Sequence, residues 1–226
     1  MADRELLEFL SGYMTDERRE TFERVIANRT RYISVVLEDI YQPHNASAVL
    51  RSCDSFGIQD IHVIEKRNRY RVSRDVALGS DKWLTLTRHT GKTATTTSVC
   101  NQLRDKGYRI VATTPHESGV DVEDFDLEKG KVALLFGTEL EGLTREAVEC
   151  ADEFLRIPMY GFTGSLNISV SAAIILHYLT GKLRSGNIDW KLEEEELTDL
   201  KLEWLHKSIK SAALLEKQFY TSRKVK

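Results

Sequence analysis

The sequence predicts an α/β fold: a mainly parallel sheet flanked by helices, with helical extensions at the N- and C-termini. Between residues 31 and 184, short apolar strand-like runs alternate with stretches whose apolar residues recur at helical spacing. This alternation is typical of parallel sheets whose strands are joined by helices. Residues 1–30 and 185–226 are helical in pattern instead. With 30% charged residues and a net charge of −3, the 226-residue chain has an ordinary globular composition.

The two extensions carry apolar stripes at helical intervals. Leu6 and Leu10 mark the first stripe, and Leu200 and Trp204 mark the last one, which follows the turn-like segment RSGN at 184–187. We expect these helices to pack on a core or on a second subunit.

The predicted elements of the central region alternate along the chain. The strands are YISVVLEDI (32–40), DIHVIE (60–65), WLTLT (83–87), YRIVATT (108–114), KVALLFG (131–137) and EFLRIPM (153–159). The helices are NASAVLRSCDSF (45–56), TTTSVCNQLRDK (95–106), TREAVECA (144–151) and NISVSAAIILHYLTGKL (167–183). Ligands of parallel sheets bind beyond the carboxyl ends of the strands. The loops of interest therefore follow Leu37, Ile64, Thr113, Phe136 and Ile157.

The first central helix holds two polar residues of interest. Asn45 is predicted to cap its N-terminus, and Gly57 closes it. Its core-facing stripe is Ala46, Val49, Leu50 and Cys53. Arg51 falls on the flank of that stripe, one turn after Ser47. Two interpretations stay open: a surface arginine paired with Asp54 or another carboxylate, or a functional group that reaches over the top of the sheet.

Three loop segments have the composition of binding sites. LLFGTELEGLT (134–144) and IPMYGFTGSLNISVSAAI (157–174) combine apolar strands with glycines, which let the backbone lie close to a ligand. The basic segment, EKRNRYRVSRD (65–75), places Tyr70 among cations that would neutralise phosphates, and the ring would stack on a base. An ordinary solvated loop is the alternative. The predicted RNA-binding cations are Lys66, Arg67, Arg69, Arg71 and Arg74.

Several other sites are excluded by spacing. HTGKT (89–93) lacks the glycine that a phosphate loop needs at position 86, and no G-x-G-x-x-G follows the first strand. The six histidines show no H-E-x-x-H pattern and the three cysteines lie far apart, so we expect no metal cofactor. The N-terminus does not resemble a signal peptide, and no apolar run is long enough for a membrane span. We therefore expect a cytoplasmic protein.

Three segments, taken in order, resemble the three motifs of the SpoU family of RNA ribose 2′-O-methyltransferases, within the SPOUT superfamily. The first family motif reads roughly N-x-x-A-x-x-R-x-x-x-x-F-G, and it is matched by Asn45, Ala48, Arg51, Phe56 and Gly57. LLFGTELEGL and IPMYGFTGSLNISVSAAI resemble the second and third motifs. The resemblance spans residues 31–184, which implies a methyltransferase domain there, an N-terminal helical extension over 1–30 and a C-terminal one over 185–226.

The resemblance implies a fold and a site that the residue patterns alone do not. A C-terminal trefoil knot would bind S-adenosylmethionine, and a homodimer would place the arginine of one subunit near the methyl donor of the other. Arg51 would be catalytic, with Asn45 orienting it or the ribose. Carried over by position, the cofactor-binding residues are Thr113, Gly137, Glu139, Ile157, Met159, Ser165, Leu166 and Asn167.

The helical extensions also narrow the expected substrate. They resemble those of the TrmH subgroup, which methylates the guanosine at position 18 in the tRNA D-loop. The same chemistry on ribosomal RNA or at another tRNA position is the alternative, as is a non-catalytic RNA-binding protein on this fold. A guanidinium stays protonated, so Arg51 is a poor general base. It would instead stabilise the developing alkoxide, or pass the proton through an RNA phosphate.

Overall fold

The computed structural model describes residues 2–91, 93–115, 119–138 and 141–224, and the chain divides into two compact units. Residues 30–190 form the larger unit, and residues 1–29 together with 191–226 form the smaller one. Within the described ranges the helices are α1 (Ala2–Ser11), α2 (Asp16–Ile26), α3 (Pro43–Phe56), α4 (Arg74–Ala77), α5 (Thr96–Asp105), α6 (Arg145–Cys150), α7 (Ile168–Ser185), α8 (Glu194–Ser208) and α9 (Ala212–Lys224). The strands are β1 (Ile33–Glu38), β2 (Asp60–Ile64), β3 (Thr85–His89), β4 (Arg109–Thr113), β5 (Val120–Asp121), β6 (Val132–Phe136) and β7 (Glu153–Arg156).

The sheet of the larger unit has seven strands among the described residues, in the order β3-β2-β1-β6-β4-β7-β5. Every pairing between these strands is parallel, which confirms the predicted fold class. The sequence did not predict β5 or α4, because two and four residues are too few to show a periodic pattern. The trefoil knot stays a prediction.

The helices cover both faces of the sheet. Alternate residues of one strand point to opposite faces, so Val35 belongs to the core cluster that includes α3 and α7, and Val36 belongs to the cluster with α5 and α6. Strands β1 and β6 pair at the centre and are buried along their whole length. Strands buried on both faces are usually apolar along their whole length, and the segment KVALLFG (131–137), which contains β6, has this composition.

Helix α3 begins two residues earlier than predicted. Pro43 is its first residue and Gln42 precedes it as the N-cap, so Asn45 lies inside the first turn and does not cap this helix. Proline suits the first helical position because its fixed φ is helical and its missing N–H would be unpaired there in any case. The predicted end is confirmed: Gly57 closes the helix in the left-handed conformation, at a φ of 79°.

The smaller unit is built from the two extensions. The ring of Trp204 in α8 is buried there, and it meets Phe22 edge-on with ring centroids 5.5 Å apart. Glu193 and Glu196 form a capping box at the start of α8, as acids near a helix N-terminus favour. Among the helices described, none is both long and apolar enough to cross a membrane.

A histidine pair joins β2 to the edge strand β3, and His62 is its buried member. Nδ1 of His62 lies 3.0 Å from Nε2 of His89, and the two rings stack with centroids 5.3 Å apart. Burial lowers the pKa of His62 from 6.5 to about 4, and the charges of His89 and Lys106 act in the same direction. The folded protein therefore keeps His62 neutral at pH values where an unfolded chain would protonate it.

We expect acid to destabilise the fold as the pH falls from about 6.5 towards 4. In that window the unfolded chain binds a proton that His62 does not bind in the folded state, so stability present at neutral pH is lost on acidification. Between pH 7 and pH 5 the loss from this group should be about 2 kcal/mol. His62→Phe should flatten the decline in melting temperature, whereas His44→Phe, at an exposed position, should not. An equal decline in all three proteins would contradict the assignment.

Candidate functional site

A cavity of about 470 Å³, the donor cavity, opens beyond the carboxyl ends of β4, β6 and β7. The residues carried over from the resemblance that line it are Thr113, Gly137, Ile157, Met159, Ser165 and Leu166. Of the other two, Glu139 lies outside the described residues and Asn167 is not part of the lining. The three loops that follow these strands therefore converge on one space.

Gly137 is required by the turn that follows β6. Thr138 and Gly142 exchange backbone hydrogen bonds of 2.9 and 3.0 Å, which folds the chain back on itself. A Cβ atom added at Gly137 would lie 2.2 Å from the carbonyl carbon and oxygen of Gly142. No side chain fits at that distance, so glycine at this position sets the path of the loop that forms one wall of the cavity.

The walls of the donor cavity are mostly apolar. They include Phe136, Leu155 and Ile157, together with hydroxyl groups and exposed backbone. Within the described lining no lysine or arginine is present, and Glu141 is the charged residue. The volume lies within the range of about 300–1,000 Å³ that is usual for small-molecule sites. Such a cavity suits a largely apolar ligand, and its described lining has no cation that would repel a positive charge.

A hydrogen bond between two asparagines connects the first motif to the third. Nδ2 of Asn167 donates to Oδ1 of Asn45 at 3.2 Å, and Asn45 donates in turn to the side chain of Gln42. Asn167 also caps α7, because its Oδ1 accepts from the backbone N–H of Ser169 at 2.9 Å. Asn45 does not cap α3 as the sequence predicted. The asparagine that caps a helix here is Asn167, at the start of α7.

Arg51 is exposed on α3 and does not line the donor cavity of its own chain. Across the described ranges it makes no ion pair or hydrogen bond, so the suggested pairing with Asp54 is not formed. Ser47, placed by the sequence on the same flank, is instead fully buried and accepts a hydrogen bond from the backbone N–H of Ser73 at 2.8 Å. Among the described residues the guanidinium therefore has no partner.

The first two cations of the basic segment are held by carboxylates of the same chain. Nζ of Lys66 lies 3.2 Å from Glu38 and 2.6 Å from Glu146. Burial acts to raise the pKa of Glu146, but hydrogen bonds from Lys66 and Thr97 outweigh it and lower the pKa to about 2. Because Glu38 is almost completely buried, Lys66 supplies the charge that balances it.

Asp39 anchors the basic segment to the end of β1. Its Oδ1 accepts backbone N–H groups from Lys66, Arg67 and Asn68 at 2.8 to 3.0 Å, and its Oδ2 accepts from Nε of Arg67 at 3.1 Å. Asp39 has a φ of 54°, a left-handed conformation that the surrounding hydrogen bonds maintain. Arg67 also pairs with Glu141 at 2.5 Å, beside a second, charged cavity of about 410 Å³.

The later part of the basic segment differs from the first. Arg69, Arg71 and Arg74 are exposed, and within the described ranges they make no hydrogen bond or ion pair. Tyr70 is only 8% exposed and packs in the core, so the stacking role suggested for its ring is wrong. Its alternation with arginines reflects a segment that turns one apolar residue inward and the charged residues outward.

Sequence reasoning missed Glu38 and Asp39, which organise this edge of the sheet. Glu38 also accepts hydrogen bonds from the hydroxyl of Thr144, at 2.7 Å, and from that of Thr96. Their position in the sequence could have identified them, because two acids stand at the carboxyl end of an apolar strand, where parallel sheets bind ligands.

Comparisons with known proteins agree with this geometry. Residues 32–177 match the model of the SpoU rRNA Methylase family. The chain is 40% identical over 207 residues to a tRNA (guanosine(18)-2′-O)-methyltransferase of Borreliella burgdorferi, across 92% of this chain and 93% of that protein.

Two solved structures resemble the chain as well. One is the TrmH/SpoU tRNA modifying enzyme of A. aeolicus, with a TM-score of 0.75 and 26% identity, across 86% of this chain and 98% of that one. The other is the SpoU methyltransferase AviRb of Streptomyces viridochromogenes in complex with the cofactor AdoMet, with a TM-score of 0.58 and 25% identity, across 73% and 62% of the two chains.

Proposed function

Because the chain belongs to the SpoU methylase family, we propose that it transfers a methyl group from S-adenosylmethionine to a tRNA ribose, at the 2′-hydroxyl of guanosine 18. The observation that carries this proposal is the donor cavity, where the loops of the second and third motifs converge and Asn167 contacts Asn45 of the first. The name of the B. burgdorferi relative supports the choice of tRNA and of position 18. Action in the cytoplasm and the trefoil knot belong to the same proposal.

The residues of the donor cavity fit S-adenosylmethionine. Apolar residues such as Ile157, Met159 and Leu166 would pack against its adenosine, with backbone groups near Gly137 and Thr113 beside them. A lining in which the described residues include an acid but no lysine or arginine would tolerate the sulfonium charge. When bound, this cofactor supplies a methyl group that is activated by positively charged sulfur.

The reaction requires alignment and removal of a proton. Methyl transfer would join the methyl carbon to the ribose 2′-oxygen and release the demethylated cofactor, while the hydroxyl proton would pass to an RNA phosphate or to water. Arg51 would stabilise the negative charge that develops on the 2′-oxygen. Asn45, held by Asn167 and Gln42, would orient the ribose or the arginine.

A homodimer would complete the site. Arg51 is exposed outside its own donor cavity, so the arginine of one subunit would serve the cavity of the other. Helix α7 also exposes Val170, Ile174 and Tyr178 at four-residue intervals, an apolar stripe that a second copy would cover. Sedimentation of micromolar protein should give twice the 25.9 kDa chain mass, and Ile174→Glu should shift it towards monomer and lower activity. A fully active monomer would contradict the shared site.

Arg69, Arg71 and Arg74 are the proposed phosphate contacts, and Lys66 and Arg67 would shape the segment that presents them. Replacing the three exposed arginines together with alanine should weaken tRNA binding and reduce the slope of log affinity against log salt by roughly one unit per lost contact. The affinity for S-adenosylmethionine should not change. Replacing the exposed acidic residues Glu123 and Asp124 with alanine is the control, and it should leave the slope unaltered. An unchanged slope in the triple variant would indicate that the basic segment is an ordinary solvated loop that does not contact RNA phosphates.

The test of the proposed function is to map the product. Incubation with labelled S-adenosylmethionine and unmodified tRNA should place the label at guanosine 18, and tRNA carrying 2′-deoxyguanosine at that position should take up none. Label in ribosomal RNA, or at another tRNA nucleotide, would support 2′-O-methylation of RNA but would contradict guanosine 18 of tRNA as the target. Absence of transfer to any RNA would favour a binding protein on this fold.

A further inference from the structure

Two aromatic side chains project from the loop between β7 and α7. Tyr160 is 97% exposed and Phe162 is fully exposed, although large aromatic rings normally bury most of their surface. They stand two residues apart in residues 160–164, which we call the aromatic loop. Two exposed rings in so short a segment present apolar surface that water solvates poorly.

The aromatic loop lies at the rim of the donor cavity. Met159, immediately before it, and Ser165 and Leu166, immediately after it, all line that cavity. Tyr160 and Phe162 themselves do not. Their rings therefore stand beside the place where the methyl group would be transferred, without occupying the cofactor's space.

We propose that Tyr160 and Phe162 form a stacking platform for unpaired bases of the RNA substrate next to the target ribose. This inference rests on the proposed function. Every base has an aromatic face, and stacking on exposed rings is how proteins commonly hold the splayed bases of RNA loops. A platform at the cavity rim would hold the neighbouring bases while the target ribose enters.

The charges around the aromatic loop favour RNA over a protein partner. Asn167, just after the loop, contacts Asn45 of α3, and Ser47 one half-turn later contacts Ser73 of the basic segment. The exposed Arg71 and Arg74 lie within two residues of Ser73, so two hydrogen bonds and one turn of α3 connect the end of the aromatic loop to the segment that carries these cations. Exposed rings for the bases and exposed cations for the phosphates suit an RNA, which is also the class of substrate that the proposed function gives.

The test measures tRNA binding without the cofactor. The double variant Tyr160→Ala with Phe162→Ala should raise the Kd for unmodified tRNA about tenfold or more, as expected for lost base stacking. Leucine at both positions keeps apolar bulk but has no aromatic face, so it should not restore binding, whereas tryptophan at both positions should. Tyr13→Ala, at another exposed tyrosine, is the control and should bind tRNA normally.

Three further measurements decide between the platform and its rivals. The affinity for S-adenosylmethionine and the sedimentation mass should be the same in the double alanine variant as in the wild-type protein. Loss of cofactor affinity would assign the rings to closure of the donor cavity, and conversion to monomer would assign them to a subunit interface. Either result would overturn the platform, as would recovery of binding by leucine or unchanged binding by the alanine variant.

Failure of the platform and failure of the proposed function give different results. A wild-type protein that methylates tRNA, with a double variant that binds tRNA normally, overturns the platform alone. A wild-type protein that methylates no RNA, but whose tRNA binding depends on the two rings, overturns the proposed function alone.

Discussion

Arg51→Ala should lower methyl incorporation into tRNA by about a hundredfold or more, because a charge aimed at the developing alkoxide is lost. The fold should hold, since Arg51 is exposed on α3 and makes no hydrogen bond or ion pair within the described residues. Alanine is also a good helix former, so the helix should not weaken. The affinity for S-adenosylmethionine should survive because Arg51 does not line the donor cavity of its own chain.

Arg51→Lys separates charge from geometry. Lysine keeps the positive charge but loses the planar fork that can hold a phosphate and a ribose oxygen together. If two-point contact matters, the lysine variant should be nearly as inactive as the alanine variant. If charge alone matters, it should recover substantial activity.

The assay for Arg51 combines three readouts on each protein: methyl incorporation, cofactor affinity by calorimetry and melting temperature. Lys217→Ala is the control, since Lys217 is also an exposed cation on a helix. It should retain full activity. Near wild-type incorporation by Arg51→Ala would remove Arg51 from the mechanism and make it an ordinary solvated side chain.

The sequence predicted the parallel sheet well because its signals are local. Buried strands such as Val132–Phe136 are short and continuously apolar, and helices such as Ile168–Ser185 repeat their core residues at fixed intervals. Helix starts were less certain. Asn45 is a strong capping residue, but Pro43 is equally suited to a first turn, and the sequence does not say which signal prevails.

The pairing of side chains across the sheet edge could not be predicted in the same way. Lys66 and Arg67 look like free cations in a basic run, yet their partners include Glu38, Asp39 and Glu146, up to 80 residues distant in the chain. Such pairs depend on which strand ends become neighbours. Here β1 lies next to β6 in the sheet, and no local pattern in the sequence shows that these two strands are neighbours.

The same limit applies to Tyr70 and Ser47. Tyr70 stands between arginines in the sequence, and its burial follows only from the way Asp39 ties the segment back onto the sheet. Ser47 fits a flank position on a helical wheel, but the loop carrying Ser73 covers it. The donor cavity itself was easier to place, because its loops all follow the carboxyl ends of strands.

Gly137→Ala should greatly weaken cofactor binding. A Cβ atom there would lie 2.2 Å from the backbone of Gly142 and 2.3 Å from the backbone nitrogen of Leu143. These neighbours are backbone atoms, which cannot move aside as a flexible side chain would, so the turn closed by Thr138 and Gly142 must open. Overpacking of this kind costs about 1–3 kcal/mol, and we expect a lower melting temperature together with a cofactor affinity reduced about tenfold or more.

Gly164→Ala is the control for that variant. Gly164 lies near the same cavity, but a Cβ atom there would have no neighbour within 4 Å. Its cofactor affinity and melting temperature should match the wild-type values, and Gly137→Ala should still bind tRNA because the exposed arginines and the two exposed rings are untouched. Wild-type cofactor affinity in Gly137→Ala would show that the second motif does not form the wall of the cofactor site.

Mixing the two disabled chains tests the shared site directly. Arg51→Ala should keep its donor cavity and lose the arginine, whereas Gly137→Ala should lose the cavity and keep the arginine. In a dimer whose sites each combine an arginine from one subunit with a cavity from the other, co-expression of the two variants gives mixed dimers with one intact site. At a cofactor concentration too low to saturate Gly137→Ala, the mixed dimers should therefore be more active than either variant alone. If each subunit instead used its own arginine, every site in the mixture would carry one defect, and the mixture would be no more active than the variants alone.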